Sequence, residues 1–258
     1  MKILLTNDDG VHAPGLRALC RQFAPHHEVM IVAPDRERSA VGHGITLHMP
    51  LRVTDVHIQE GIRAMAVDGT PADCIKLSVL ELLDSKPDLV ISGINPGANV
   101  GVNINYSGTV AAAKEATLYG IASIAVSIQG TRCDHYDQAA EFIGRLSGEV
   151  VEKGLPSGTF LNVNIPNLPM GQMAGVRFAR QGIDFFSEYI NKRTDPRDRV
   201  YYWHGCEPEF DFGSPDIDGQ AICENYISIT PIKCDMTDYG LLENLKTWKI
   251  SNLYKFKS

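Results

Sequence analysis

Two adjacent carboxylates, Asp8 and Asp9, follow the short apolar run Ile3-Leu4-Leu5. Like charges a few ångströms apart raise each other's pKa, so such a pair at the end of a buried strand is costly unless something positive sits between its oxygens. A divalent cation is the simplest remedy. The Ser39 hydroxyl and the Asn95 amide, each just past another apolar run, extend the donor set to Asp8, Asp9, Ser39 and Asn95. Oxygen-only ligands of this kind suit a hard ion, Mg²⁺, Mn²⁺ or Ca²⁺, rather than zinc. A local reading stands beside this one: Asp8 and Asp9 cap the next helix through Asx turns, with Gly10 supplying the left-handed bend.

The stretch from Gly93 to Asn105 alternates glycines at 93, 97 and 101 with asparagines at 95, 99, 103 and 105. Backbone and carboxamide groups can approach a ligand closely there, because little side-chain bulk intervenes. Long structureless loops in compact domains are uncommon unless they have a function. Next, Tyr106-Ser107-Gly108-Thr109 opens a small-residue helix. Free N–H groups at its start, with the Ser107 and Thr109 hydroxyls, form a site for phosphate or another compact anion. An isolated Ser-Gly-Thr would be only a cap. The anion site gains meaning from the oxygen-donor cluster at the neighbouring strand ends.

Other chemistries lack their signatures. A Gly-x-Gly-x-x-Gly turn after the first strand, a Walker-type Gly-Lys-Ser/Thr and a Gly-x-Ser-x-Gly elbow are all absent from the sequence. His12 and His43 lie near the candidate residues but are read as solvated or hydrogen-bonded loop histidines. Arg36 and Arg38 read as a solvated pair rather than as anion guides. The six cysteines, Cys20, Cys74, Cys133, Cys206, Cys223 and Cys234, show no zinc-like spacing and read as reduced thiols.

These residues need a scaffold that gathers strand ends. The 258-residue chain is 44% hydrophobic and 21% charged, as globular proteins are. Its first half alternates short apolar runs with amphipathic stretches, the pattern of βα units around a parallel sheet. Strands are expected at Lys2–Thr6, Glu28–Ala33, Asp88–Ser92, Ile121–Ser127 and Phe160–Ile165, and ligands bind beyond the carboxyl ends of such strands. Helices are expected after Pro14, after the capping box Thr70-Pro71-Ala72-Asp73, from Ser107 to Tyr119 and from Tyr136 to Lys153. Between Gly42 and Gly69, Ile45–Leu47 and Ala64–Val67 suggest short inserted antiparallel strands. Beyond residue 166 the rhythm changes to strands at Val176–Arg180 and Arg199–Trp203 flanking an extended hairpin or arm, then a strand at Tyr226–Thr230 and a helix at Leu241–Trp248. The arm can exchange contacts with a second copy of the chain.

The formal net charge of −7, from 24 Lys and Arg against 31 Asp and Glu, has the wrong sign for a surface that neutralises a duplex, so no long nucleic acid is expected. Nowhere do about 18 consecutive uncharged apolar residues occur, and the amino-terminal apolar run is too short for a secretory signal. The expected location is the cytoplasm, with no membrane partner.

With these residues assembled, the sequence resembles the SurE family of stationary-phase survival proteins. The carrying motifs are Lys2-Ile3-Leu4-Leu5-Thr6-Asn7-Asp8-Asp9-Gly10, Pro34-Asp35-Arg36-Glu37-Arg38-Ser39, Ser92-Gly93-Ile94-Asn95-Pro96-Gly97-Ala98-Asn99 and Tyr106-Ser107-Gly108-Thr109-Val110. The match is strong over the first half and holds only in outline beyond it. The resemblance implies an α/β fold, a Rossmann-like three-layer core with a mainly parallel sheet, carrying a C-terminal hairpin or arm and helix that swap between subunits of a homodimer or homotetramer. Residues 1–170 would form the catalytic core, with a small inserted β region at about 42–69, and 171–258 an extension that is not an independent domain. It implies metal-dependent hydrolysis of nucleoside 5′- and 3′-monophosphates, with short polyphosphate as a further substrate, and one Mg²⁺ or Mn²⁺ per subunit on Asp8, Asp9, Ser39 and Asn95. Asp8, Asp9, Asn95 and Ser107 are then the catalytic group, and Asn99, Ser107, Gly108 and Thr109 hold the phosphate. Attack by water activated at the cation and attack by an aspartate through an aspartyl-phosphate both stay open. A non-catalytic nucleotide sensor is the alternative. Glu115-Ala116 stands where many relatives carry Glu-Gly, a change expected to alter packing only.

Overall fold

The computed structural model describes residues 1–183, 188–206 and 212–248. Its elements in chain order are β1 (Lys2–Thr6), α1 (Pro14–Phe23), β2 (Glu28–Pro34), β3 (Val53–Val56), β4 (Arg63–Val67), α2 (Pro71–Leu77), β5 (Leu89–Pro96), α3 (Gly108–Leu118), β6 (Ala122–Ile128) and α4 (Tyr136–Lys153). There follow β7 (Thr159–Ile165), β8 (Gly175–Phe178), β9 (Glu188–Thr194), β10 (Val200–Cys206), α5 (Asp218–Cys223), β11 (Tyr226–Lys233) and α6 (Tyr239–Leu245).

Strands β1, β2, β5 and β6 carry near-continuous apolar runs, Ile3–Leu5, Val29–Ala33, Leu89–Ile91 and Ile124–Val126, because both of their faces are covered. Ile3 and Leu5 of β1 pack with Leu16 and Phe23 of α1 and Ile143 of α4, whereas Leu4 packs with Ile75 of α2 and Ala112 of α3. One strand thus feeds two cores, and the molecule has three layers. Ala112 and Ala116 are fully buried against the sheet, so the small side chains of α3 let its axis come close. Thr70 and Asp73 form the expected capping box at the start of α2.

The main sheet has the order β3-β4-β2-β1-β5-β6-β7-β11-β8. The neighbours from β4 across to β7 are parallel, and β3–β4 and β7–β11 are antiparallel. From β1 the chain builds outward through β2 to β4, then returns to lay β5 on the other side of β1. That reversal makes the carboxyl ends of β1 and β5 the place where loops part and leave a crevice.

Two local expectations are corrected. Ile45–Leu47 is not a strand; Thr46 is held instead by Asp73, which accepts from its backbone N–H at 3.0 Å and its hydroxyl at 2.6 Å. β4 is not part of a separate insertion, since it pairs parallel with β2 in the main sheet while β3 closes the edge. The hairpin is present: β9 and β10 pair antiparallel from Glu188 to Cys206 as a sheet of their own. The last helix begins at Tyr239 and ends at Leu245, slightly earlier than its periodicity indicated. Cys20, Cys74, Cys133, Cys223 and Cys234 are free thiols, and the side chain of Cys206 lies outside the described set. Among the described residues, no helix is long and apolar enough to cross a membrane.

Candidate active site

β1 ends at Thr6 and the chain turns at once. Asn7 is fully buried and closes the turn with two bonds: its Nδ2 donates to Gly10 O at 3.0 Å, and its Oδ1 accepts from the Gly10 N–H at 3.2 Å. Gly10 has φ of 101°, a backbone conformation that residues with a Cβ seldom adopt. The turn is rigid, and Asp8 and Asp9 are its tip.

Asp8 is buried at 4% exposure and meets the start of α3. Thr109 Oγ1 donates to Asp8 Oδ1. Burial pushes the Asp8 carboxyl above its usual range, although Thr109 and backbone N–H groups, those of Thr109 and Gly108 among them, favour the charged form. Gly108 permits the contact, since a Cβ there would lie 2.8 Å from Asp8 Cβ. The helix start that the sequence offered to an external anion therefore already faces one, the carboxylate of Asp8. Ser107 caps the same helix, its Oγ accepting from the Val110 N–H at 3.1 Å.

Asp9 is half-buried, and its carboxyl is pushed up to about 7 by burial and then by the charges of Asp8 and Glu37. Its Oδ2 is buried and has no hydrogen-bond partner. An unpartnered, desolvated carboxylate oxygen beside a second buried carboxylate fits a bound cation, which would neutralise the pair and give that oxygen a partner.

Asn95 lies near the end of β5, where the register against β6 shifts between Ser92 and Asn95. Such irregularities re-aim side chains beside functional sites. Its Nδ2 donates to Gly97 O at 2.6 Å, so Oδ1 is the atom able to coordinate a metal. Ser39 is exposed on the loop after β2, and its Oγ donates to Glu37 Oε1 at 2.7 Å. Asp8, Ser39, Asn95, Asn99 and Ser107 line one open cleft of about 270 Å³. Asp9, Gly108 and Thr109 are not among its lining residues. Among the described residues no three His, Cys, Asp or Glu side chains converge, so the donor set depends on amide and hydroxyl oxygens besides the two carboxylates.

Sequence reasoning missed the residues that hold this arrangement. Asn99 is tied by Asn164, whose Oδ1 accepts from its N–H at 2.7 Å, and by Ser127, which accepts from its Nδ2 at 2.8 Å. Asn162 and Asn164 both donate to the Asn99 carbonyl, at 2.8 and 3.0 Å. Their i, i+2 spacing on a buried strand was the available signal, because alternate residues share a face. Asp218 of α5 accepts from the N–H groups of Gly101 and Gly182, at 2.9 and 3.1 Å, and so anchors the far end of the same loop. His43 Nε2 lies 2.7 Å from Glu115 Oε2, while Lys76 Nζ donates to Glu115 Oε1 at 3.1 Å. His12 is exposed. Arg38 donates to Asp68 O at 2.8 Å and pairs with Asp35 at 3.4 Å, which makes it a loop brace, and Arg36 is largely exposed.

Comparison with known proteins gives the family. The family described as "Survival protein SurE" matches residues 3–188. A protein of Desulfatibacillum aliphaticivorans named 5′-nucleotidase SurE is 57% identical over 250 residues, covering 97% of this chain and 99% of its own length. One of the same name from Moorella thermoacetica is 47% identical over 249 residues, 96% of each chain. The crystal structure of the SurE protein from Aquifex aeolicus superposes with a TM-score of 0.83 at 38% identity, covering 95% of this chain and 98% of that one.

Proposed function

We infer, from the premise that the chain belongs to the SurE family, that it is a nucleotidase, a hydrolase that frees phosphate from nucleoside monophosphates as the name of its relatives implies. The non-catalytic sensor is not favoured. We extend the reading to both 5′- and 3′-monophosphates, to short polyphosphate, to one Mg²⁺ or Mn²⁺ per subunit, to a homodimer or homotetramer joined through the arm, and to a cytoplasmic location. The observation that carries it is the buried, unpartnered Oδ2 of Asp9 beside the buried carboxylate of Asp8.

Asp8, Asp9, Ser39 and Asn95 would hold the cation. When bound, such an ion offsets charge on the phosphoryl oxygens and makes water more acidic. Asn95, Asn99 and Ser107 stand in the cleft wall and can donate to equatorial phosphoryl oxygens, where charge builds up during transfer. Thr109 and Gly108 act one step back, by holding Asp8. Because Asp8 Oδ1 accepts a hydroxyl hydrogen bond, it is a weaker nucleophile, which counts against attack by Asp8. Single turnover of a nucleotide with an isotopically chiral phosphorus should invert its configuration, as one displacement by water does. Retention, the outcome of two displacements, would establish the covalent route.

Phosphate release from 5′-AMP, 5′-GMP and 3′-AMP with Mn²⁺ or Mg²⁺ tests the function. Release that EDTA abolishes is expected. Thermal stabilisation by nucleotide without release under any metal would establish the sensor instead.

A further inference from the structure

Most polar atoms of Asn99 are fixed before any substrate arrives: its N–H, its carbonyl and one Nδ2 proton are engaged by Asn164, Asn162 and Ser127. A second Nδ2 proton is left for a ligand in the cleft. Two residues on, Gly101 is gripped as well. Its N–H donates to Asp218 Oδ2 at 2.9 Å, and its carbonyl accepts from Gln181 Nε2 at 2.8 Å. Gly101 has φ of 58°, and a Cβ there would lie 2.8 Å from Gly182 O, so the two segments touch at this point. Asp218 Oδ1 accepts from the N–H groups of Gly182 at 3.1 Å and Gly219 at 2.9 Å. Asp218 is fully buried. Burial pushes its carboxyl above the usual range, while the N–H groups of Gly101, Gly182 and Gly219 favour the charged form, and no Lys, Arg or His among the described residues pairs with it. A buried carboxylate without a counter-ion is a costly way to join peptide groups. Its advantage is geometric, since two acceptor oxygens and no donor can hold two chain segments at once.

We propose that Asp218 is a positioning residue for phosphate transfer, which through the Gly101 N–H sets where Asn99 meets the phosphoryl oxygens. The proposal rests on the nucleotidase reading. Asp218 is not among the residues that line the cleft, so its effect passes through the loop. Charge on the phosphoryl oxygens grows in the transition state, so a displaced donor costs turnover more than it costs ground-state binding. Asparagine cannot stand in for this carboxylate. With its oxygen left on Gly182 and Gly219, its NH2 group meets the Gly101 N–H donor to donor, and in the flipped orientation the other two bonds are lost.

The test is a double-mutant cycle between Asp218→Asn and Asn99→Ala, read as phosphate release from 5′-AMP under Mn²⁺. Alone, Asp218→Asn should lower kcat by at least about tenfold, as misplacement remote from the chemistry does, and change KM by no more than about threefold. In the Asn99→Ala background the same substitution should change kcat by less than about twofold, because the group it positions is gone. Equal losses in both backgrounds would overturn the proposal, since they mark general damage to the fold. So would a parent-like kcat in Asp218→Asn, or a loss confined to KM. Should that variant not fold, Gly101→Ala takes its place in the cycle with the same outcomes, because its Cβ would push the loop off Gly182 and away from Asp218 while leaving α5 unaltered. Phosphate release by the unaltered protein keeps the nucleotidase reading whatever the cycle shows; no release would remove both.

Discussion

Asp9 opposes the fold that contains it. Its carboxyl is pushed up to about 7 because burial and the charges of Asp8 and Glu37 disfavour its ionised form. A group whose pKa is raised by folding destabilises the native state once it is ionised, so a neutral isostere should relieve that cost. Asp9→Asn is therefore expected to melt at the same temperature as the parent or higher in metal-free buffer. Phosphate release should fall by more than the about 10–100-fold that removing a group behind a metal ligand costs. Paired scanning calorimetry and phosphate assays check both halves; a variant that melts lower or turns over normally would contradict the role. At this scale the sequence was informative about Asp8, Asp9, Ser39 and Asn95, because polar residues after apolar runs mark strand ends. The spacing of Asn162 and Asn164 marks one face of a strand but not their partner Asn99, which is more than sixty residues away.

The loop after β2 brings Ser39 to the site, and distant elements hold it. Asp73 accepts from Thr46 N–H, Thr46 hydroxyl and Thr70 N–H. Glu115 of α3 engages His43, and the Gly42 N–H donates to Tyr106 O at 2.9 Å. Asp73→Asn removes one acceptor oxygen, and losing a buried partner costs about 1–3 kcal/mol. The Mn²⁺ concentration for half-maximal activity should rise more than kcat falls, because the loop carrying Ser39 is loosened; a metal titration of the variant measures this. Glu115 gives a pH prediction. Burial raises its pKa, but His43 and Lys76 together outweigh burial and leave it below the ordinary value of 4.5. A lowered carboxyl contributes stability above its unfolded pKa and loses it as pH falls through the folded one. Between pH 6 and about 3 the parent should lose more stability than Glu115→Gln, as urea melts at stepped pH would show; parallel curves would count against a lowered Glu115 carboxyl. Only the Thr70–Asp73 capping box could be read from local spacing; the other clasps join segments far apart in sequence. The strand proposed at Ile45–Leu47 failed for the same reason: Thr46 bonds to Asp73 rather than to a neighbouring strand.

At the scale of the whole molecule, the β9–β10 hairpin stands apart from the main sheet and exposes Tyr202 at 61% and Trp203 at 60%. Aromatic surface of that kind suits the assembly proposed through the arm. Replacing 188–206 by a short Gly/Ser linker should lower the assembly mass seen by light scattering while leaving the circular dichroism of the sheet in place; an unchanged mass would remove the arm from assembly. The three-layer core was what the family resemblance implied; the sequence alone determined a parallel sheet built of βα units, because a strand buried on both faces is largely apolar and a helix facing it carries a stripe, and both patterns are local. It also determined the donor types, since oxygen chemistry follows from residue identity. The tertiary structure decided that Asp8 faces the α3 start, that Ser107 lines the cleft beside it and that Asp218 and Asn164 both hold the loop after β5. Those facts depend on where β5 is laid against β1 and on how closely α3 approaches the sheet. Both are set by packing summed over the whole chain, which no short window of residues contains.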